Sequence, residues 1–284
     1  NITTTDFVSL DGSSSDEAGS IINQILLEEQ GNGGNIEITT KLLSITNRSG
    51  IFAATIGKGN TSNITIIATD AVLIDRGGFI DNSVLLGEGN AGHIDITTSS
   101  LLVSDESLIN ASTQGKGNGG NVIITATDSV YLDSSRVGSV VSALGEGNGG
   151  DINITTNSLF LTNSGSFTSS INASTQGKGN AGNVIINAAD SVSLDSSSFI
   201  ASEVTLVEAE GDGGDIKITA RSLSLSDGSV LTVSTSGQGD AGNVQIVTTD
   251  SVSFDAGSSV SSAVFSGAEG DGGDINITTD SLLA

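Results

Sequence analysis

Apolar and polar residues alternate along this chain in short runs, the period-two pattern of half-buried strands. Val122, Ile124 and Ala126 form one inward-facing set, and Val130 and Leu132 form a second. Further on, Ile152 and Ile154, then Leu159 and Leu161, then Ile171 and Ala173 form three sets. Gly, Asn, Asp and Ser separate the sets, as turns require. Thr and β-branched residues dominate the runs, as strands prefer. The pattern predicts three short strands in every stretch of about 30 residues, without helices.

These stretches repeat. The segment Gly-[Asn/Asp]-x-x-[Asn/Asp/His]-[Ile/Val] recurs with its first Gly at 31, 59, 89, 117, 147, 179, 211, 239 and 270. Nine occurrences fill the chain, which predicts one array over residues 1–284 with no linker. Two kinds alternate, GDINITTNSLFLTNSG from Gly150 and GNVIITATDSVYLDSS from Gly120, so the unit is about 60 residues in two half-units. One half-unit per coil gives an all-β, right-handed parallel β-helix of roughly nine coils, stacked about 4.8 Å apart. A propeller fits poorly, because its blades need about 40–45 residues and it closes at four to eight blades. The array starts and stops inside a half-unit with no polar capping repeat, so a section of a longer protein is expected.

Stacked coils predict ladders. Ile36, Ile64, Ile94, Val122, Ile152, Val184, Ile216, Val244 and Ile275 should form one core column. Ala53, Ala111, Ala173 and Val233 should keep the third wall narrow. Gly117 and Gly120 flank Asn118 at a corner expected to need positive φ. The residue before each corner reads Gln30, Lys58, Glu88, Lys116, Glu146, Lys178, Glu210, Gln238, Glu269. Opposite charges would then be neighbours along the rod, and a one-coil slip would set like charges together. Asp6, Asp70, Asp128, Asp190 and Asp250 similarly alternate with Lys41, Ser99, Asn157 and Arg221.

Charge narrows the function. Asp and Glu number 33 against 9 Lys and Arg, a formal net charge of −24. A nucleic-acid binder needs a basic face, which this composition cannot supply. With no cysteine there is no disulfide framework, zinc-thiolate site or thiol nucleophile. No apolar run approaches the length of about 18 residues that a membrane helix needs.

One acidic cluster is a candidate cation site. Asp212, Asp240 and Asp271 succeed one another at a corner where earlier coils carry Asn148 and Asn180, and Asp215 and Asp274 lie beside them. Carboxylates so close repel unless solvated, protonated or bridged by a cation. Calcium, which prefers several oxygen ligands, is the one candidate cofactor. A plain solvated acidic edge is the other reading. No catalytic set emerges. His93 replaces the usual Asn or Asp of a corner, Tyr131 is the lone tyrosine, and Phe160 and Phe199 do not line up as a sugar platform. Two repeats are longer, around 166–169 and 203–210, where solenoid insertions often mark a binding face.

The texts GNGGDINIT, GNAGNVIINAADSVSLD and INASTQGKGN resemble filamentous haemagglutinin-like exoproteins, a two-partner secretion family, and especially its large repeat-bearing cyanobacterial members. The resemblance covers essentially the whole chain. It implies a β-helical shaft, secreted through an outer-membrane partner and displayed outside the cell. The Asn-Pro secretion motif of that family is missing here, because the chain has no proline. The expected role is an extracellular, non-catalytic shaft or fibre segment, self-associating end to end or into fibres. The alternatives are a carbohydrate-binding or polysaccharide-processing β-helix that contacts cell-surface glycans, and a calcium-binding surface-layer-type protein.

Overall fold

The computed structural model describes residues 1–13 and 19–284. Two parallel sheets run the length of a β-solenoid, and no helix is present among the described residues. The longer sheet is built from strands such as Val122–Asp133 and Ile152–Thr162, the shorter from strands such as Arg136–Gly138 and Ser170–Asn172. Val122 pairs with Ile94 of the coil before and Ile152 of the coil after. One half-unit is therefore one coil. Coils are numbered 1 to 9 below by their corner glycines, Gly31 to Gly270.

The aliphatic column forms as the period-two pattern predicts. Ile36 through Ile275 pair in unbroken register. Ile64 to Val244 are wholly buried, whereas the last member, Ile275, is 43% exposed because it is covered from one side only. A single coil has no interior of its own. Each apolar wall is covered from above and below by the same wall of its neighbours.

The three short strands expected per coil become two. The first two are one continuous strand with a bulge. Ala126 pairs with Thr156 and Ser129 with Ser158, so Thr127 and Asp128 together oppose Asn157 alone. Polar residues at the bend read as a turn in the sequence, yet their backbone stays in the ladder. The same bulge explains the alternation of Asp70, Asp128, Asp190 and Asp250 with Lys41, Ser99, Asn157 and Arg221. The aspartates occupy two-residue bends and the others occupy one-residue bends.

Ala53, Ala111, Ala173 and Val233 are fully buried, as expected of a narrow third wall. The intervening coils carry buried polar residues there instead, Asn82, Ser139 and Ser202. Ser139 Oγ accepts the N–H of Gly150 at 2.9 Å and Ser202 Oγ that of Gly214 at 3.0 Å. In an alanine coil the Gly120 N–H reaches the Ala111 carbonyl directly at 2.8 Å. Both arrangements tie the wall to the corner and satisfy a buried donor.

The corner glycines have two separate causes. Gly117 takes φ +139°, as the turn reading anticipates. Gly120 has no such φ, but a Cβ on it would lie 1.9 Å from the Gly92 carbonyl oxygen. Close approach of stacked backbones, and not turn geometry, demands glycine there.

Candidate functional site

The corner of every coil carries two side-chain ladders. Asn118 Oδ1 accepts the backbone N–H of Asn148 at 2.8 Å, and Asn148 Oδ1 that of Asn180 at 2.9 Å. The ladder continues from Asp212 to Asp240 at 3.0 Å and from Asp240 to Asp271 at 2.8 Å. A second ladder runs beside it, in which Asn183 Oδ1 accepts from Asp215, Asp215 from Asn243, and Asn243 from Asp274 at 2.8–2.9 Å. Asn and Asp interchange because each rung requires only a side-chain acceptor, which either side chain supplies as Oδ1.

The five calcium candidates are thus split. Asp212, Asp240 and Asp271 stack in one ladder, while Asp215 and Asp274 sit in the other with Asn243 between them. Asp212, Asp240 and Asp215 each give one oxygen to the next rung, and Asp271 and Asp274 are the last rungs of their ladders. Among the described residues no three acidic or histidine side chains are grouped as metal ligands. His93 belongs to the second ladder as well. Its Nδ1 accepts the Asn121 N–H at 3.0 Å, which assigns the ring proton to Nε2.

The charge column is paired as the sequence predicts. Parallel bridges link Gln30, Lys58, Glu88 and onward to Glu269. Each lysine reaches the glutamate of the following coil, with Lys58–Glu88 at 3.1 Å, Lys116–Glu146 at 3.4 Å and Lys178–Glu210 at 2.9 Å. The hydrogen bond from Lys178 to Glu210 holds the lysine above its ordinary pKa. At the bend, Arg221 Nε donates to Asp190 at 2.7 Å and Nη1 lies 3.7 Å from Asp250, so one cation serves two carboxylates.

Several features escape sequence reasoning. Tyr131 and Phe160 are neighbours in register on the outer face of the long sheet, with ring centroids 6.0 Å apart. Leu102 precedes Tyr131 in the same column. Phe160 therefore does belong to an aromatic pair, though Phe199 lies on the other sheet. Asp81 and Glu203 are half-buried on and beside the shorter sheet, and burial pushes both carboxyls above their usual range. Thr55, Thr175 and Thr235 bury hydroxyls that find no partner. Of the two longer repeats, one places Phe167 under the Arg136 guanidinium at 4.3 Å, and the other lengthens the turn that carries Leu206 and Val207.

Open grooves mark the surface of the described residues. One of about 580 Å³ follows the turns that leave the long sheet, between Arg48, Arg76, Asp105 and Glu106. Another of about 520 Å³ lies at Asp215, Lys217, Gln245 and Asp274. Neither assembles a nucleophile, a base and an orienting group. Comparison with protein-family models, curated proteins and solved structures finds no match.

Proposed function

We propose that this chain is a non-catalytic shaft segment of an extracellular, adhesin-like exoprotein, a rod that spaces or assembles other parts of its parent. One observation carries this reading. Polar side chains are spent on bonds to the next coil, in successive coils for the asparagine and aspartate ladders and in every second coil for the Lys–Glu pairs from Lys58 to Glu210. A protein selected for a single site concentrates unusual residues in a few coils, whereas this one repeats the same contacts from end to end. The extracellular placement and secretion through a partner rest on the resemblance to filamentous haemagglutinin-like exoproteins. The acidic surface is compatible with an exposed, soluble rod.

The test is excision of one two-coil unit, residues 121–182, which rejoins Gly120 to Asn183 and keeps the corner motif intact. A shaft loses about 10 Å of length, measured by small-angle scattering, and keeps its cooperative unfolding and its surface display in the parent. Loss of a binding or hydrolytic activity on excision, with the fold intact, overturns the reading. The Tyr131–Phe160 pair, two adjacent rings tilted by 43° on the outer face, favours a second reading, contact with a polysaccharide, since aromatic faces suit a sugar ring. Binding to acidic polysaccharides that disappears in Tyr131→Ala would establish that alternative.

A further inference from the structure

The turn before the corner alternates in length. In even coils two residues join the wall to the charge column, as Gln114–Gly115 do between Thr113 and Lys116. In odd coils the turn is longer, as with residues 142–145 between Val141 and Glu146. Every long turn lifts an apolar side chain into solvent. These are Leu27, Leu86, Leu144, Val207 and Phe265, with Leu86 71% and Leu144 83% exposed. Between them lie the short turns of Ile56, Gln114, Gln176 and Ser236, whose glycines are buried. The result is a row of knobs about 10 Å apart with hollows between. The hollow between Leu27 and Leu86, floored by Ile56 and Gly57, measures about 190 Å³.

We propose that this ridge is the interface for a second copy of the chain, packed side by side and antiparallel, with knobs of each copy in the hollows of the other. Charge fixes the direction and restricts the register to every second coil. The Lys–Glu column lies along one flank of the ridge, because each of its members directly follows the turn. A two-fold axis parallel to the rods carries that column to the opposite flank of the partner. A two-fold axis perpendicular to the rods, lying between them, keeps the two columns face to face, and such an interface is closed and self-complementary.

Placing the axis between coils 4 and 5 sets each long turn against a short one. Leu144 then enters the hollow at Gln114 of the partner copy, and Leu86 the hollow at Gln176. The same register sets Lys116 opposite Glu146, Lys178 opposite Glu88, and Lys58 opposite Glu210. All three lysines of the column meet glutamates, because the lysines follow only short turns and the glutamates only long ones, so that charge and knob packing favour the same registers. A shift by one coil sets knob on knob and like charge on like charge. On a chain of net charge −24, this strip from Lys58 to Glu210 holds three cations and three anions and is locally balanced.

Sedimentation velocity of the full chain, with single spin labels introduced by Gln114→Cys and Ser236→Cys, tests the inference. A dimer is expected. In it the Gln114 labels are close, and the Ser236 labels of the two copies are separated by about seven coils, roughly 34 Å along the axis. Leu86→Asp with Leu144→Asp should shift the dimer dissociation constant upward by at least tenfold while circular dichroism and melting stay unchanged, since both side chains are already in solvent. A monomer at every concentration overturns the proposal and leaves the shaft reading standing. Equal label separations at both positions, which mean a parallel pair, also overturn it. So does a dimer indifferent to the two aspartates, which means another face.

Discussion

Asp212 Oδ1 accepts the backbone N–H of Asp240 at 3.0 Å, the bond that Asn148 makes to Asn180 at 2.9 Å. The carboxylate takes the place of an amide oxygen, and the rung does not need its negative charge. Asp212→Asn should therefore leave the urea midpoint unchanged or raise it slightly by separating Asp240 from a like charge. Asn148→Ala removes the acceptor and should cost about 1 kcal/mol. A chelator should not move the melting temperature. A drop on chelation that is absent in Asp212→Asn would instead mark a bound cation at these aspartates.

Thr175 bears a buried hydroxyl without a partner, and the coils on either side place Val141 and Val204 at its bridge position. Valine has nearly the same shape without the polar atom that is costly to bury. Thr175→Val should stabilise by roughly 1 kcal/mol, read as a higher denaturant midpoint at unchanged slope. An equal or lower midpoint would mean that the hydroxyl has a water partner.

Glycine substitutions separate crowding from backbone conformation. A Cβ at Gly150 would stand 2.2 Å from the Gly120 carbonyl oxygen, so Gly150→Ala forces two coils apart. The cost should be about 3 kcal/mol or more. Gly257 has φ +80° with nothing within 4 Å of its Cβ position. Gly257→Ala should cost only about 1–2 kcal/mol. Thermal melts of the two variants side by side check the ordering.

Much of this was legible beforehand, and the reason is physical. Period two is a property of one strand, so the column from Ile36 to Ile275 follows from the chain alone. Period 28–32 is a property of stacking, so the alternation of Lys116 and Glu146 follows once one coil is equated with one half-unit. What stayed hidden depends on the third dimension. Thr127–Asp128 reads as a turn because polar residues do not reveal that their backbone remains paired. Gly120 reads as a turn residue because the sequence does not show the Gly92 carbonyl beneath it. Tyr131 and Phe160 lie 29 residues apart and meet only when the bulge is counted correctly.

Burial raises the carboxyl of Asp81 above its ordinary 3.8, against smaller opposing effects of hydrogen bonds from Ser83 and Asn110. A carboxyl with a raised folded pKa binds its proton more tightly when folded. Its contribution is most favourable in acid and is lost as pH rises from 3.8 through the folded value. Asp195 behaves oppositely. The hydrogen bond from Ser226 lowers it, so its contribution is present above 3.8 and is lost as pH falls through the folded value. Asp81→Asn should stabilise the rod at neutral pH and remove the part of the decline that lies between pH 3.8 and the folded value. The pH series of urea midpoints for wild type and variant checks the sign. A variant with an unchanged slope would show that folding does not shift the Asp81 carboxyl.

The Lys–Glu column should act on register more than on stability. Each pair is exposed, so Lys178→Ala should cost less than about 1 kcal/mol. Lys178→Glu is a different perturbation. It sets a third carboxylate between Glu146 and Glu210 on the bridge ladder, where the wild type has an alternating run. Three like charges at the coil spacing repel, and the repulsion is screened over about 10 Å at 0.1 M salt. The reversal variant should therefore melt lower than the alanine variant at low salt and approach it at about 1 M salt. If the column contributed only through packing of the lysine stem, the two variants would melt together at every salt concentration. The salt-dependent gap between them is thus the part of the ladder that charge alone supplies, and it measures the force that keeps a coil from slipping past its neighbour.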